Sequence, residues 1–288
     1  MSLMNDIFTR ARARNARVVF PELDNSRVFD ATAQLRAEEL CQPLALGDFC
    51  DSHVQVLTET RGMREAIARR LLAKPLYRAA AMVASGEADA MVAGADSPTK
   101  RVIEAASMVI GLRPEIATPS SYFLMLFPDG RPLVFADCAV NLAPSANDLV
   151  DIARATAASA RGLLGSARLA LLSYSTGESG QGRSIDLVRN AARALKQARL
   201  ECFGPIQADA ALNQTICEKK GVKYNEFNVL VFPDLNSGNI GYKLCQELAG
   251  AQALGPFLQG FRKPVCGLSR GASIADIVAA TVVTVAME

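Results

Sequence analysis

Short runs of β-branched and other apolar residues alternate with alanine-rich stretches along this chain. That alternation restricts it to an α/β fold in which mostly parallel strands are joined by helical crossovers. Arg17-Val18-Val19-Phe20-Pro21 reads as the first strand and Ser26 to Glu39 as the helix after it. Arg64 to Ser85 reads as one long helical stretch, Ala90-Met91-Val92-Ala93 as a strand, and Val102 to Ile110 as a helix. Apolar runs on either side of Asp129-Gly130, Tyr122 to Phe127 and Leu133 to Ala136, give a hairpin signal. A helix from Ala146 to Leu163, a strand from Leu169 to Ser173, a helix from Ile185 to Arg199, a strand from Val229 to Phe232 and a helix from Ile240 to Leu248 continue the alternation. No repeat, low-complexity tract or long linker interrupts it, so any second domain is expected to be inserted into the first.

A chain of 288 residues, 50% of them hydrophobic, can bury a sizeable core and has the length of two domains or one large one. Its 31 Lys and Arg nearly balance 29 Asp and Glu. The formal charge of +2 supplies no strong field for a nucleic acid or an anionic membrane, so neither is expected as a partner, and any small anion must be held by local geometry. The 7 cysteines are scattered and include no Cys-x-x-Cys pair, which fits a reducing compartment and a cytoplasmic protein. His53 is the sole histidine, with no cysteine cluster around it, so no metal site is expected. Asn5 to Arg12 is amphipathic and basic without a continuous apolar segment, and reads as a first helix with an arginine-rich solvent face. The apolar run from Ile274 to Met287 falls short of the roughly 20 residues a bilayer needs and reads as a buried helix.

In parallel sheets, ligands sit beyond the carboxyl ends of the strands, and four segments there have the composition of an anion site. Gly94 to Arg101 includes Thr99, Lys100 and Arg101; Ser173 to Gly180 includes Ser175 and Thr176; Pro233 to Asn239 includes Asn236, Gly238 and Asn239; and Gly267-Leu268-Ser269-Arg270-Gly271 precedes the last helix. Each combines small residues, hydroxyls or cations with the free amides and positive dipole of a helix start. Each is also an ordinary turn composition, and Ser273-Ile274-Ala275-Asp276 is a capping-box pattern as well as a position for a base. There is no Gly-x-x-x-x-Gly-Lys-Ser/Thr and no spaced-glycine dinucleotide fingerprint, which disfavours ATP and NAD.

Phe227 to Lys243, with Pro233-Asp234-Leu235-Asn236-Ser237-Gly238-Asn239 at its centre, resembles the strand-loop-helix signature of the phosphate acetyltransferase and phosphate butyryltransferase family. Gly255-Pro256, Gln259-Gly260, Lys263-Pro264-Val265 and Leu268-Ser269-Arg270-Gly271 continue the resemblance in order. Phe135-Ala136-Asp137, Leu172 to Thr176 and Gln207 to Ala211 extend it upstream. It implies an acyltransferase that moves an acetyl group reversibly between acetyl-CoA and phosphate by direct attack of the CoA thiolate, with CoA, acetyl phosphate and phosphate as substrates and no permanently bound cofactor or metal. The alternatives are a butyryl-transferring enzyme and a non-catalytic member that binds CoA or acyl phosphate.

The resemblance further implies a two-domain fold like that of isocitrate and isopropylmalate dehydrogenases. On that reading residues 1–115 plus 257–288 form the first α/β domain, residues 116–256 the inserted one, the site lies in the cleft between them, and the protein is a homodimer or larger homo-oligomer. Carried over by position, Asp276 is the general base, and Ser269 and Arg270 orient substrate and stabilise the tetrahedral transition state. Ser175, Thr176, Thr99, Arg101, Asn236, Gly238, Asn239 and Lys243 bind substrate. The chain departs from the family pattern at Thr58, ahead of Arg61-Gly62, and at Glu104, where arginines are expected. Arg61 and Arg101 are the nearest substitutes. Cys266-Gly267 stands in place of Asn-Asp before Leu268.

Overall fold

The structure, a computed structural model, describes residues 3–287. The chain divides into two compact units, residues 1–114 with 255–288, and residues 115–254.

In chain order, the first stretch holds α1 (Leu3–Arg14), β1 (Arg17–Val19), α2 (Ser26–Ala37), β2 (Gln42–Leu44), α3 (Asp51–Arg61), α4 (Glu65–Leu72), α5 (Pro75–Ser85), β3 (Ala90–Ala93) and α6 (Thr99–Val109). The inserted unit holds β4 (Ser120–Leu126), β5 (Pro132–Ala136), α7 (Ala146–Leu164), β6 (Leu169–Leu172), α8 (Arg183–Gln197), β7 (Cys202–Ile206), α9 (Ala208–Leu212), α10 (Gln214–Lys219), β8 (Val229–Val231) and α11 (Leu235–Ala249). The chain returns through β9 (Gln252–Gln259), β10 (Val265–Gly267) and α12 (Ile274–Ala286).

The first unit orders its strands β2-β1-β3-β10-β9, parallel except for β9 against β10. The second orders them β4-β5-β8-β6-β7, parallel except for the β4–β5 hairpin. The expected α/β class with mostly parallel, helix-flanked sheets is therefore present in both units. Strand β3 is buried at all four positions and α12 from Ile277 to Ala286, which explains why these stretches are almost wholly apolar. No described helix is long and apolar enough to cross a membrane. In the second unit Phe123, Phe135, Leu172, Ile206, Leu230 and Phe232 belong to one apolar core under the sheet. Helix α1 buries Ile7 and Ala11, as an amphipathic first helix should.

Four expectations are corrected. The single helix over 64–85 is two, because Pro75 starts α5 at a position where a missing N–H costs nothing, while inside a longer helix it would clash with the preceding turn. Helix α6 begins at Thr99 rather than Val102, so Thr99 and Arg101 are first-turn helical residues. Helix α11 begins at Leu235 rather than Ile240, with the Asp234 side chain accepting from the Ser237 amide at 2.8 Å. Strands β7 and β9 were not expected. Both contain Gly-Pro, which reads as a turn, yet β7 is the outermost strand of its sheet, where an absent N–H is tolerated.

Candidate active site

In the first unit, β1, β3 and β10 are adjacent and parallel, so the segments after them emerge along one sheet edge. Leaving β10, the chain pins Leu268 by a 2.7 Å bond from its amide to the Ala93 carbonyl, then exposes Ser269, Arg270 and Gly271. Backbones approach so closely here that a methyl group on Gly94 would lie 2.8 Å from both the amide nitrogen and the carbonyl oxygen of Leu268. Thr99 belongs to the same edge: its Cγ2 would be 3.7 Å from a methyl on Gly267.

Asp276 is in the first turn of α12. Its Oδ2 accepts from the Ser273 amide at 3.0 Å and the Ser273 hydroxyl at 2.7 Å, while its own amide donates to Ser273 Oγ at 3.2 Å. The capping box is real. Every contact to the carboxylate uses Oδ2 and leaves Oδ1 unengaged. The Gly271 amide donates to Ser269 Oγ at 3.3 Å, and the Arg270 guanidinium has no hydrogen-bond or ion-pair partner among the described residues.

Two residues that sequence reasoning passed over hold this edge in shape. Arg27, on α2, donates through Nη1 to the carbonyls of Arg270 (3.0 Å) and Ala272 (2.7 Å), tying the exposed turn to the body of the unit. Glu22, after β1, accepts from the amides of Gly94 (2.7 Å), Ala95 (2.8 Å) and Ser97 (2.8 Å). The protein's own carboxylate thus occupies the nest that these three loop amides form ahead of α6. Arg27→Ala should leave the chain folded but loosen the turn, lowering kcat about tenfold or more with a smaller change in KM. Steady-state kinetics beside a melting curve checks this, and an unchanged kcat would show that the turn keeps its shape alone.

Arg101, 68% exposed, is in a 2.9 Å ion pair with Glu104, so the substitute cation is joined to the very residue standing where an arginine was expected. Arg61 ends α3 and lies over Gly111, where a methyl would come 1.7 Å from Nη2. Its Nε is buried without a hydrogen-bond partner. Burial and then the neighbouring Arg262 charge push its pKa down from the ordinary arginine value.

In the second unit, β5, β8 and β6 are adjacent and parallel, and their carboxyl ends lead to Asp137–Asn141, α11 and the Ser173–Gly180 loop. Ser175 and Thr176 are buried and engaged. Ser175 Oγ is 2.7 Å from Ser179 Oγ, and Thr176 Oγ1 accepts from the Gln207 amide at 3.1 Å and donates to Gln207 Oε1 at 3.3 Å. Their hydroxyls brace the loop. Asn236 is exposed on the first turn of α11. Gly238 is buried against the β5 exit, where a methyl would meet the Asp137 carbonyl oxygen at 2.4 Å, and Asn239 Nδ2 donates to the Cys138 carbonyl at 3.1 Å. Lys243 is exposed, its Nζ 5.1 Å from the Tyr242 ring centroid, and lies roughly 12 Å along the helix from Leu235, apart from the first-turn residues.

The centre of this edge is Asp137, a buried carboxylate that sequence analysis quoted only as a landmark. Oδ1 accepts from the amides of Ser121 (3.2 Å), Ala139 (3.1 Å) and Val140 (3.3 Å) and from the Ser121 hydroxyl. Oδ2 accepts from the Asn141 amide (2.8 Å) and side chain (2.6 Å). No group of three or more His, Cys, Asp or Glu among the described residues is placed to hold a metal ion.

These sheet edges, each rich in hydroxyls and helix starts, belong to an α/β transferase chain, and the chain is a member of the phosphate acetyl/butaryl transferase family, whose model matches residues 48–285. It is 47% identical over 238 residues to the phosphate acetyltransferase of Treponema pallidum, a match spanning 78% of this chain and 71% of that protein. A phosphate acetyltransferase of Nitratidesulfovibrio vulgaris is 40% identical over 267 residues, 90% of this chain but 38% of that longer protein. Among solved structures, a phosphotransacetylase from Streptococcus pyogenes superposes with a TM-score of 0.92 at 33% identity, covering 99% of this chain and 97% of that one. A 4-hydroxythreonine-4-phosphate dehydrogenase from Klebsiella pneumoniae, at 15% identity and TM-score 0.51, covering 99% of this chain and 86% of that one, shares the fold alone.

Proposed function

We propose that this chain catalyses reversible transfer of an acetyl group between acetyl-CoA and phosphate, with CoA and acetyl phosphate as the other pair and no permanently bound cofactor. The observation that carries the reading is the Arg270 turn: an unpaired guanidinium and a serine hydroxyl are held at a sheet edge a few residues before a carboxylate with one oxygen unengaged. In the direction of acetyl-CoA synthesis, Asp276 Oδ1 takes the proton of the CoA thiol and the thiolate attacks the acetyl carbonyl of acetyl phosphate. Ser269 and Arg270 face the charge that gathers on the carbonyl oxygen, and phosphate leaves. Thr99, Arg101, Asn236, Gly238, Asn239 and Lys243 serve substrate binding in this proposal; Ser175 and Thr176 serve it by bracing their loop.

The test is release of CoA from acetyl-CoA on addition of phosphate, run beside butyryl-CoA. Acetyl-CoA should be the better substrate, in keeping with the named function of the relatives. Faster butyryl transfer would overturn the acetyl assignment. CoA binding without phosphate-dependent release from either would overturn the enzymatic one.

We also propose a homo-oligomer, at least a dimer, in the cytoplasm. Ile240, Leu244 and Leu248 follow one another at single-turn spacing on α11 and are 56%, 51% and 81% exposed, an apolar stripe that a second copy would cover. The seven cysteines are unpaired, as a reducing compartment requires. Leu244→Asp should shift sedimentation toward the monomer. An unchanged sedimentation coefficient would remove α11 from the interface.

A further inference from the structure

Cys50 has no part in the proposed acetyl transfer, yet its surroundings are those of a reactive thiol. It sits at the N-cap of α3, exposed, with Sγ 3.6 Å from Nδ1 of the sole histidine, His53, and 3.0 Å from Ser52 Oγ. His53 is only 2% exposed, and its Nε2 is 2.8 Å from Glu87 Oε2. The two ring nitrogens can be told apart. The Cys50 amide donates to Nδ1 at 3.3 Å, and an amide N–H cannot accept, so Nδ1 carries the lone pair. The proton of the neutral ring is then on Nε2, where the Glu87 carboxylate accepts it.

A histidine capping its own helix accounts for the contact between Nδ1 and the amide. It does not account for a carboxylate fixing the far nitrogen, or for an exposed sulfur facing the same lone pair. Nucleophile, base and orienting carboxylate in this order are the arrangement that activates a thiol. The other cysteines contrast with it. Burial pushes the thiols of Cys41 and Cys266 up to about 12 and that of Cys138 well above its ordinary value. The Cys50 thiol is instead pushed down, first by the hydrogen bond with the Ser52 hydroxyl and then by the His53 amide, against desolvation and the Glu87 charge.

We propose that Cys50 is a nucleophilic thiol for reversible exchange with small-molecule disulfides, with His53 Nδ1 as proton acceptor and Glu87 as the residue that positions the ring. The step balances without further reagents. The Cys50 proton passes to Nδ1, and the thiolate attacks one sulfur of R–S–S–R. A Cys50–S–S–R bond forms as the R–S–S–R bond breaks, and R–S⁻ leaves with the proton from the imidazolium. The disulfide is the oxidant: the Cys50 sulfur is oxidised and the departing sulfur is reduced. A free thiol reverses the exchange. The reading is independent of the acyl-transfer assignment.

The experiment incubates the full chain with oxidised glutathione and follows adduct formation by intact-protein mass across a range of pH. The groups facing the sulfur are Ser52, His53 and Glu87, with Asp51 beside them held in a 3.3 Å ion pair by Arg69 of α4. A single rapid adduct is expected, removed by dithiothreitol and absent in Cys50→Ser, with a pH midpoint below the roughly 8.5 of an ordinary thiol. Glu87 is half exposed, so Glu87→Ala should fold normally, and melting curves verify this. Through the ring, its loss should raise the midpoint and slow the reaction about three- to tenfold at neutral pH. As a bare neighbouring charge, its loss would lower the midpoint. A rapid adduct surviving in Cys50→Ser, a wild-type midpoint at or above the ordinary thiol value, or a Glu87→Ala midpoint that falls or stays put would each overturn the proposal.

Discussion

Replacing Asp276 by Asn should lower kcat for acetyl transfer by about 10²- to 10⁴-fold while leaving the chain nearly as stable as before. The carboxylate has two tasks on two different oxygens. Oδ2 closes the capping box of α12 by accepting from the Ser273 amide and hydroxyl, and Oδ1 is the base in the proposed mechanism. An Asn carbonyl can take over both capping contacts, so the stability loss should stay below about 1 kcal/mol. It cannot take a proton from a thiol. Because only the proton transfer is removed, kcat and kcat/KM should fall together and KM for acetyl-CoA should stay within about threefold. Ser273→Ala is the complement: it breaks the cap, costs about 1 kcal/mol, and leaves the base in place, so its kcat should drop far less. Denaturant unfolding beside steady-state kinetics separates the two tasks. Equal kcat for wild type and Asp276→Asn would leave Asp276 as a helix cap alone.

The parts of this molecule that could be read from its sequence are those written in short-range periodicity. Strand β3 and helix α12 from Ile277 onward are buried and appear as largely apolar runs, while α7 shows its Ser145-to-Asp148 cap immediately before its apolar face begins at Leu149. What stayed hidden falls into two kinds. Where close approach dictates residue type, composition misleads. Asn236-Ser237-Gly238-Asn239 has the look of a loop, yet it is helical, and Gly238 is there because the Asp137 carbonyl leaves no room for a side chain. Gly204-Pro205 and Gly255-Pro256 mislead in the same way inside β7 and β9.

The second kind is long-range polar pairing. Arg27 reaches the Arg270 turn across 243 residues and Glu22 reaches the Gly94 amide across 72, so no window of sequence contains either contact. At the thiol site, the Cys50-to-His53 spacing is local and visible in the sequence; the contact with Glu87 that gives it meaning spans 34 residues. The catalytic candidates could be picked out together because Ser269, Arg270 and Asp276 lie close in sequence, on one turn and one helix start. The binding candidates are dispersed, and Ser175 and Thr176 prove to be internal braces.

Asp137→Ala should be the most destabilising single change among the polar residues of the second unit, at about 3–5 kcal/mol. The carboxylate is 3% exposed and is the shared acceptor for the Ser121, Ala139, Val140 and Asn141 amides and for the side chains of Ser121 and Asn141. Its removal strands several donors at once where water has little access, and each buried unsatisfied donor costs about 1–3 kcal/mol before relaxation. Asp137→Asn is the sharper probe. It is nearly the same size, but it swaps one acceptor oxygen for an NH₂ that must face other donors. If polar satisfaction is what matters, Asn should therefore cost about as much as Ala. If filling the space is what matters, Asn should be far milder. The expected outcome is the first, with the midpoint of thermal unfolding falling by roughly 6–12 °C in both variants. The damage should then spread to the first turn of α11, since Asn239 donates to the Cys138 carbonyl and Gly238 rests on the Asp137 backbone. Hydrogen exchange reports this directly: the Gly238 amide, bonded to the Asp234 carbonyl at 3.1 Å, should lose protection in Asp137→Asn well before the amides of α7 do. Retained protection at Gly238 with a lowered melting point would show that α11 holds its first turn without the Asp137 loop.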